Sequence, residues 1–123
     1  MKRWLGRWLL GVGVLHVAYG LVRYRPGFAA ILDHGFWNAL PGHPDRELAF
    51  WFVMSGWGML FGGGLLHRLE AAESRLPRWV GWALLIPAVL GIALEPATGF
   101  WALLPPAIGA LQRARVHQAG AAA

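Results

Sequence analysis

Trp4 to Val22 reads WLGRWLLGVGVLHVAYGLV, an apolar stretch with one ionisable side chain, His16, well inside it. An α-helix rises about 1.5 Å per residue, so about 20 residues cross a hydrocarbon core of roughly 30 Å. The stretch has about that length and is therefore predicted to be a transmembrane helix. The rest of the chain is interpreted around it, because an ionisable group inside a membrane needs a partner.

One face of this helix combines small residues with the histidine. The residues that recur at alternating spacings of three and four are Gly6, Leu9, Gly13, His16 and Gly20. Glycines allow two helix backbones to approach closely, so this stripe is predicted to face other helices rather than lipid. His16 is then predicted to point into the protein interior.

The composition is that of a membrane protein. Of the 123 residues, 57% are hydrophobic and 14% are charged, whereas soluble domains carry about 25% charge. The chain is predicted to form one domain, residues 1–123. Its formal net charge is +5, but the basic residues stand at the ends of apolar segments, so no nucleic-acid partner is expected. The absence of cysteine excludes disulfides and thiolate metal sites.

The predicted fold is all-α, with four transmembrane helices in an antiparallel bundle at residues 4–22, 48–66, 79–95 and 99–111. A short surface helix is predicted within residues 28–40, between the first two spans. Asp45 is expected to cap the second span. Pro105 and Pro106 are expected to interrupt the fourth. Residues 112–123 are predicted to form a flexible tail.

Small residues also recur at helical spacing in the second and third spans. The second span contains the pair Gly58-x-x-x-Gly62, and the third contains the stripe Gly81, Leu84, Ala88, Gly91 and Glu95. Small residues at such spacings are typical of contacts between helices in membranes. Both spans are therefore predicted to pack closely against neighbouring helices.

The basic residues predict an orientation. Eight are assigned to one side of the membrane, namely Lys2, Arg3, Arg7, Arg68, Arg75, Arg78, Arg113 and Arg115. Three are assigned to the other side, namely Arg23, Arg25 and Arg46. Cytoplasmic loops are the richer in Lys and Arg. The protein is therefore expected in a bacterial inner (plasma) membrane, with several spans and both termini cytoplasmic.

Two ionisable residues, His16 and Glu95, are predicted to lie at similar depth in the bundle. His16 lies about 9 Å below the outer end of the first span, and Glu95 lies about 24 Å from the inner end of the third span. Glu47 stands above them at the outer mouth. A histidine beside carboxylates is suited to proton transfer, so His16, Glu95 and Glu47 are the predicted catalytic residues. The predicted ligand-binding residues are Tyr19, Trp51, Trp57 and Trp101.

Other interpretations of these residues stay open. His16 and Glu95 would also satisfy each other as a purely structural hydrogen bond. A metal or haem ligand is less favoured, because no second histidine stands at helical spacing from His16, and no metal or cofactor is predicted. His34 and His43 stand in a loop with two aspartates, and a solvated loop is favoured there over a surface metal site.

Three sequence patterns together resemble a family of small bacterial four-helix integral membrane proteins of uncharacterised function. They are Gly13-x-x-His16-x-x-x-Gly20, then Glu47-Leu-Ala-Phe-Trp-Phe, then Pro96-Ala-Thr-Gly-Phe-Trp. The resemblance covers most of the chain and implies the four-helix membrane fold, but it supplies no activity. The architecture is also similar to that of small multidrug transporters, although the chain lacks their acidic residue in the first helix.

Three functions are compatible with these features. The leading hypothesis is binding of a hydrophobic small molecule in a pocket in the outer half of the bilayer, with acid–base isomerisation or cyclisation as the reaction of a His/Glu pair. The second is a structural accessory subunit of a larger membrane complex that carries pigments or transfers electrons. The third is a small transporter. The expected partners are the lipid bilayer and a hydrophobic small molecule, with a homo-oligomer or a larger complex as alternatives.

Overall fold

The computed structural model describes residues 3–72 and 76–122 and is all-helical there, as predicted. Its elements are α1 (Leu5–Arg23), α2 (Arg25–Asp33), α3 (Pro44–Ala71), α4 (Arg78–Leu94), a 3-10 helix (Gly99–Leu103) and α5 (Leu104–Ala122). Lys2 and Arg75 of the predicted basic side, and Ala123 of the predicted tail, lie outside the described residues.

The helix between the first two long helices begins earlier than predicted. It occupies Arg25–Asp33 rather than residues 28–40, and it has a proline in its first turn. The first backbone N–H groups of a helix have no partner within it, so Pro26 removes no hydrogen bond there. The same reasoning explains why α3 begins at Pro44. Asp45 lies within the first turn of α3 and does not cap it, because the His43 carbonyl accepts from the N–H groups of Arg46 and Glu47.

The last helix is longer than predicted. Pro105 and Pro106 do not interrupt it, because they lie in the first turn of α5, where their missing N–H groups are not needed. The helix then continues through Ala122. Most of the segment predicted as a tail, residues 112–123, is therefore helical. In contrast, α4 ends at Leu94 because Glu95 precedes a proline and takes an extended conformation with φ −144°.

Within residues 3–72 and 76–122, two helices are long and apolar enough to cross a membrane. They are α1, with 19 residues, and α3, with 28 residues. Only 28% of the apolar window of α1 and 17% of that of α3 is buried. Large apolar side chains such as Leu15 and Phe61 are exposed. The helix α4 is also apolar but shorter.

The described chain falls into two compact units. The second unit, residues 10–61, contains most of α1, all of α2 and the first part of α3. Glycines bring α1 and α3 together in it. A Cβ atom on Gly20 would lie 2.6 Å from the Phe52 ring, and one on Gly56 would lie 2.6 Å from Val17 Cγ2. The predicted contact face of α1 is confirmed, but a Cβ on Gly58 would meet nothing within 4 Å. The close contact on α3 is therefore made by Gly56 rather than Gly58.

The short helix α2 packs over the beginning of α3 in the same unit. A Cβ atom on Gly27 would lie 3.0 Å from both Ala49 Cβ and the Asp45 carbonyl oxygen. Farther along, Arg46 Nη1 donates a hydrogen bond to the Ala39 carbonyl at 3.0 Å. The segment between α1 and α3 thus follows the C-terminal end of α1 and is held against the N-terminal end of α3.

The first unit contains the start of α1, the end of α3, and the hairpin that α4 forms with the 3-10 helix and α5. Its buried apolar cluster is Leu5, Leu66, Leu76 and Ala110. Gly81, near the start of α4, contacts Leu111, and Gly91, near its end, contacts Phe100. The two arms of the hairpin are therefore antiparallel. The small-residue stripe of α4 packs as predicted through these glycines and Ala88, whereas Glu95 is exposed at the helix end.

A buried carboxylate ties three segments of the first unit together. Glu70, near the end of α3, accepts hydrogen bonds from the N–H groups of Leu5 at 3.2 Å and Gly6 at 2.9 Å. Its side chain is 1% exposed and pairs with Arg113 of α5. Unpaired N–H groups and partial positive charge make a helix N-terminus a favourable place for a carboxylate. Glu70 thereby supplies the cap that α1 lacks in its own sequence.

We expect Glu70→Gln to destabilise the fold strongly. The exchange keeps the shape of the side chain but removes the buried negative charge that pairs with Arg113 and accepts from two N–H groups of α1, and breaking such a buried pair costs on the order of 3–5 kcal/mol. Thermal unfolding in mild detergent measures the effect, and Asp33→Asn, at an exposed carboxylate, is the matched control. A double-mutant cycle with Arg113→Met should show strong coupling. Additive effects of the two substitutions would contradict the assignment.

Two glycines on α3 should respond oppositely to alanine. Gly56→Ala is expected to cost about 1–3 kcal/mol, because the added methyl group overlaps Val17. Gly58→Ala should leave stability unchanged or raise it by up to about 1 kcal/mol, because alanine favours the helix and meets open space. The measurement is again thermal unfolding in detergent. Equal losses from the two variants would show that the α1–α3 contact is assigned wrongly.

Candidate functional site

The candidate site is centred on His16, whose ring lies against α3 in the second unit. Its Nε2 atom is 3.0 Å from the Phe52 carbonyl oxygen and 3.0 Å from Ser55 Oγ. The imidazole is stacked on the Phe52 ring, with centroids 4.0 Å apart and planes at 7°. The close approach at Gly56 places the α3 backbone within reach, since a Cβ there would lie 3.1 Å from His16 Cδ2.

These contacts determine which ring nitrogen carries the proton in neutral His16. A backbone carbonyl only accepts, so Nε2 must donate to the Phe52 oxygen. The Ser55 hydroxyl donates to the same oxygen at 2.7 Å, and its own oxygen is left to accept from Nε2–H. The Nδ1 atom therefore keeps its lone pair. It is the atom of this ring that can accept a hydrogen bond or a proton.

The same geometry excludes Ser55 as a nucleophile activated by His16. Such activation requires the serine hydroxyl to donate to a bare imidazole nitrogen. Here Nε2 carries a hydrogen, and the hydroxyl hydrogen is directed to Phe52. Ser55 instead helps to hold the imidazole in one tautomer and orientation.

Two tyrosine side chains lie around the Phe52 ring on which His16 is stacked. The Tyr19 and Tyr24 rings lie 5.9 and 5.0 Å from the Phe52 ring, measured between centroids. Tyr19 is 58% exposed and stands one turn after His16 on α1. The structure thus places Tyr19 and His16 beside the same phenyl ring. The result is an apolar surface with two polar atoms, the phenol oxygen and Nδ1.

The other predicted site residues are distributed over both units. Glu47, Trp51 and Trp57 are on α3 in the second unit, where Glu47 is partly buried in the first turn and both tryptophans are exposed. Glu95 and Trp101 belong to the first unit. Glu95 is exposed, and the Trp101 indole donates to the Pro96 carbonyl at 2.8 Å. The pairing of Glu95 with His16 stays a prediction.

Two residues of this site, Phe52 and Ser55, were not predicted from the sequence. The first two spans pack antiparallel, which places His16 opposite this part of α3. Ser55 is a polar residue in an apolar run, and it was the signal in the sequence that could have indicated this contact. The roles of Glu70 and Arg113 in the first unit were also missed. Glu70 lies in the polar stretch after the second predicted span and Arg113 in the predicted tail, where charge alone gives no sign of burial.

The described residues contain no group of three or more His, Asp or Glu side chains arranged to hold a metal ion. The rings of His34 and His43 lie 6.5 Å apart between centroids, at an angle of 57°. Two histidines alone fall short of the three or four protein ligands typical of zinc sites. The preference for a solvated loop over a surface metal site therefore stays a prediction.

Residues 1–117 match the model of a family of unknown function, DUF6463. The match agrees with the resemblance to an uncharacterised family, although it does not bear on bacterial origin. No curated protein and no solved structure matches the chain.

Proposed function

We propose a function from the chemistry of the site, because the chain belongs to DUF6463, a family of unknown function. The protein is an integral membrane protein of four spans. It binds an apolar molecule that carries a hydroxyl group, next to His16 in the outer half of the bilayer. The observation that carries this proposal is the Nε2–H···O contact of His16 with Phe52, which leaves Nδ1 as an acceptor inside a span-length apolar helix.

The exposure of the two long helices supports the membrane location. An apolar helix in the core of a soluble protein is mostly buried, whereas the windows of α1 and α3 are 28% and 17% buried. A signal sequence would account for α1 alone, since α3 starts at Pro44. The apolar side chains on these helices are therefore suited to contact with lipid.

The contacts of Glu70 support the predicted topology. They join the start of α1, the end of α3 and Arg113 of α5 at one level, which is the arrangement expected if all three lie on the cytoplasmic side. The antiparallel hairpin of α4 with the 3-10 helix and α5 supplies the third and fourth crossings. With 17 residues, α4 is about 26 Å long, which is close to a hydrocarbon core of about 30 Å.

The ligand class follows from the polar atoms at the site. Nδ1 of His16 accepts a hydrogen bond, so a bound molecule must donate one. The remaining surface is aromatic, with Tyr19 exposed and Phe52 and Tyr24 half-buried, which favours an apolar body. An isoprenoid or other long-chain alcohol has both features. Where a reaction follows, His16 Nδ1 takes a proton and Glu47 of the same unit returns one at a second position, which is the requirement for isomerisation or cyclisation.

A second candidate function is the accessory subunit. It is favoured by the exposed face of α3 that carries Gly58 and Phe61, because Gly58 meets nothing within 4 Å and Phe61 is 77% exposed. A small residue such as Gly58 on an open face would let the backbone of a partner helix approach closely. A stoichiometric protein partner that copurifies with the chain would favour this second function.

Cysteine labelling should test the four-span topology. The chain has no native cysteine, so single cysteines at Asp45, Ala72, Ala97 and Ala119 report four helix ends without background. A membrane-impermeant maleimide should label positions 45 and 97 from outside intact cells, and positions 72 and 119 only after permeabilisation. Labelling of positions 45 and 72 from the same side would overturn the crossing of α3. Labelling of position 97 together with position 72 would overturn that of α4.

Nitrogen NMR of protein labelled with 15N at histidine should test the binding site. His16, assigned by its loss in His16→Phe, should show a protonated Nε2 and an unprotonated Nδ1. Farnesol should shift the Nδ1 resonance by donating a hydrogen bond, whereas farnesyl methyl ether should not. The control Ser55→Ala should keep the response, because Phe52 still accepts from Nε2. A protonated Nδ1, or equal responses to the two probes, would contradict the proposal.

A further inference from the structure

The loop between α2 and α3 exposes its largest apolar side chains. Phe36 is 69% exposed and Trp37 is 89% exposed, and Leu32 at the end of α2 is 61% exposed. The smaller residues of the same segment are buried, with Ile31 at 7% and Ala39 at 2% exposure. Burial in a protein core would place the two aromatic side chains inside first, since they have the most apolar surface to remove from water.

The backbone fixes this outward presentation. Phe36 has φ 68° and Asn38 has φ 52°, and Gly35 before them has φ 84°. A left-handed conformation is unfavourable for a bulky residue such as phenylalanine and is maintained only by surrounding contacts. The N–H of Phe36 donates to the Ile31 carbonyl at 3.2 Å, and that of Gly35 to Leu32 at 3.0 Å. The bond from Arg46 to Ala39 holds the other end of the loop.

The loop lies where a spanning helix leaves the hydrocarbon. At 28 residues, α3 is about 42 Å long and exceeds a core of about 30 Å, so its ends reach the headgroup layers. The loop leads directly into the first turn of α3, and α2 packs on that turn at Gly27. Tryptophan is the side chain most suited to this layer, because its ring is apolar and its N–H is polar.

We propose that Phe36 and Trp37 insert into the headgroup layer of the outer leaflet and hold the segment 24–43 on the membrane surface. The partner is a phospholipid interface. Arg23 at the end of α1 and Arg25 at the start of α2 are exposed, and their charges complement lipid phosphates. The inference rests on the proposed membrane location of α1 and α3, and it adds a second lipid contact made by a loop outside the predicted spans.

An environment-sensitive fluorophore on Trp37→Cys tests the insertion, with the same dye on Ala119→Cys, at an exposed position near the end of α5, as the control. The full chain is reconstituted in phosphatidylcholine vesicles with and without lipid spin-labelled near the glycerol group. We expect blue-shifted emission and strong loss of fluorescence to the spin label at position 37, and water-like emission with weak loss at position 119.

The outcomes separate this inference from the proposed function. Water-like emission at position 37, with position 45 still labelled from outside and position 72 from inside, would overturn the insertion and leave the membrane fold standing. A blue shift that grows with the protein-to-lipid ratio and is insensitive to spin-labelled lipid would also overturn it, because it would indicate a protein partner. Trp37→Phe should keep the insertion of a dye attached at position 36, whereas Trp37→Asp should weaken it.

Discussion

The carboxylate of Glu70 caps the N-terminus of α1, although Glu70 and Leu5 are 65 residues apart in the chain. The residues before α1 include no Ser, Thr, Asp or Asn to accept its first N–H groups. Near an apolar layer, unpaired N–H groups cost several kcal/mol each, of roughly the size of a lost hydrogen bond. Glu70 satisfies two of them, and Arg113 neutralises its charge. The beginning of α1, the end of α3 and α5 are therefore positioned by one side chain.

The histidine site depends on a second constraint, the close approach of α1 and α3. Gly20 and Gly56 remove the side chains that would separate the helices. Only then do the Phe52 carbonyl and the Ser55 hydroxyl come within 3.0 Å of His16 Nε2. Packing thus decides chemistry here, because the contact selects the tautomer and leaves Nδ1 as the accepting atom. The hydrogen bonds of His16 therefore depend on the two glycines that let the helices approach.

The distribution of apolar surface connects the fold with the proposed environment. The residues buried within the protein are largely small, such as Ala49, Ala88 and Ala107, whereas leucine, phenylalanine and tryptophan side chains are widely exposed. In water this distribution would be unfavourable, since most of the apolar area would stay hydrated. In a bilayer the large side chains meet lipid, and the small ones allow dense packing between helices. The exposed Phe36 and Trp37 side chains follow the same distribution, with large apolar side chains outside and small ones such as Ala39 buried.

Local chemistry in the sequence was enough to predict the helices, their apolar character and the contact stripe of α1, because apolar periodicity and glycine spacing act over a few turns. Helix ends were less predictable, because the effect of a proline depends on its position. A proline in the first turn fits a helix, whereas one farther along would break it. The roles of Glu70, Phe52 and Ser55 came only from the tertiary structure. Each depends on an atom donated or accepted by a distant segment, and such a pairing leaves no periodic trace in the chain.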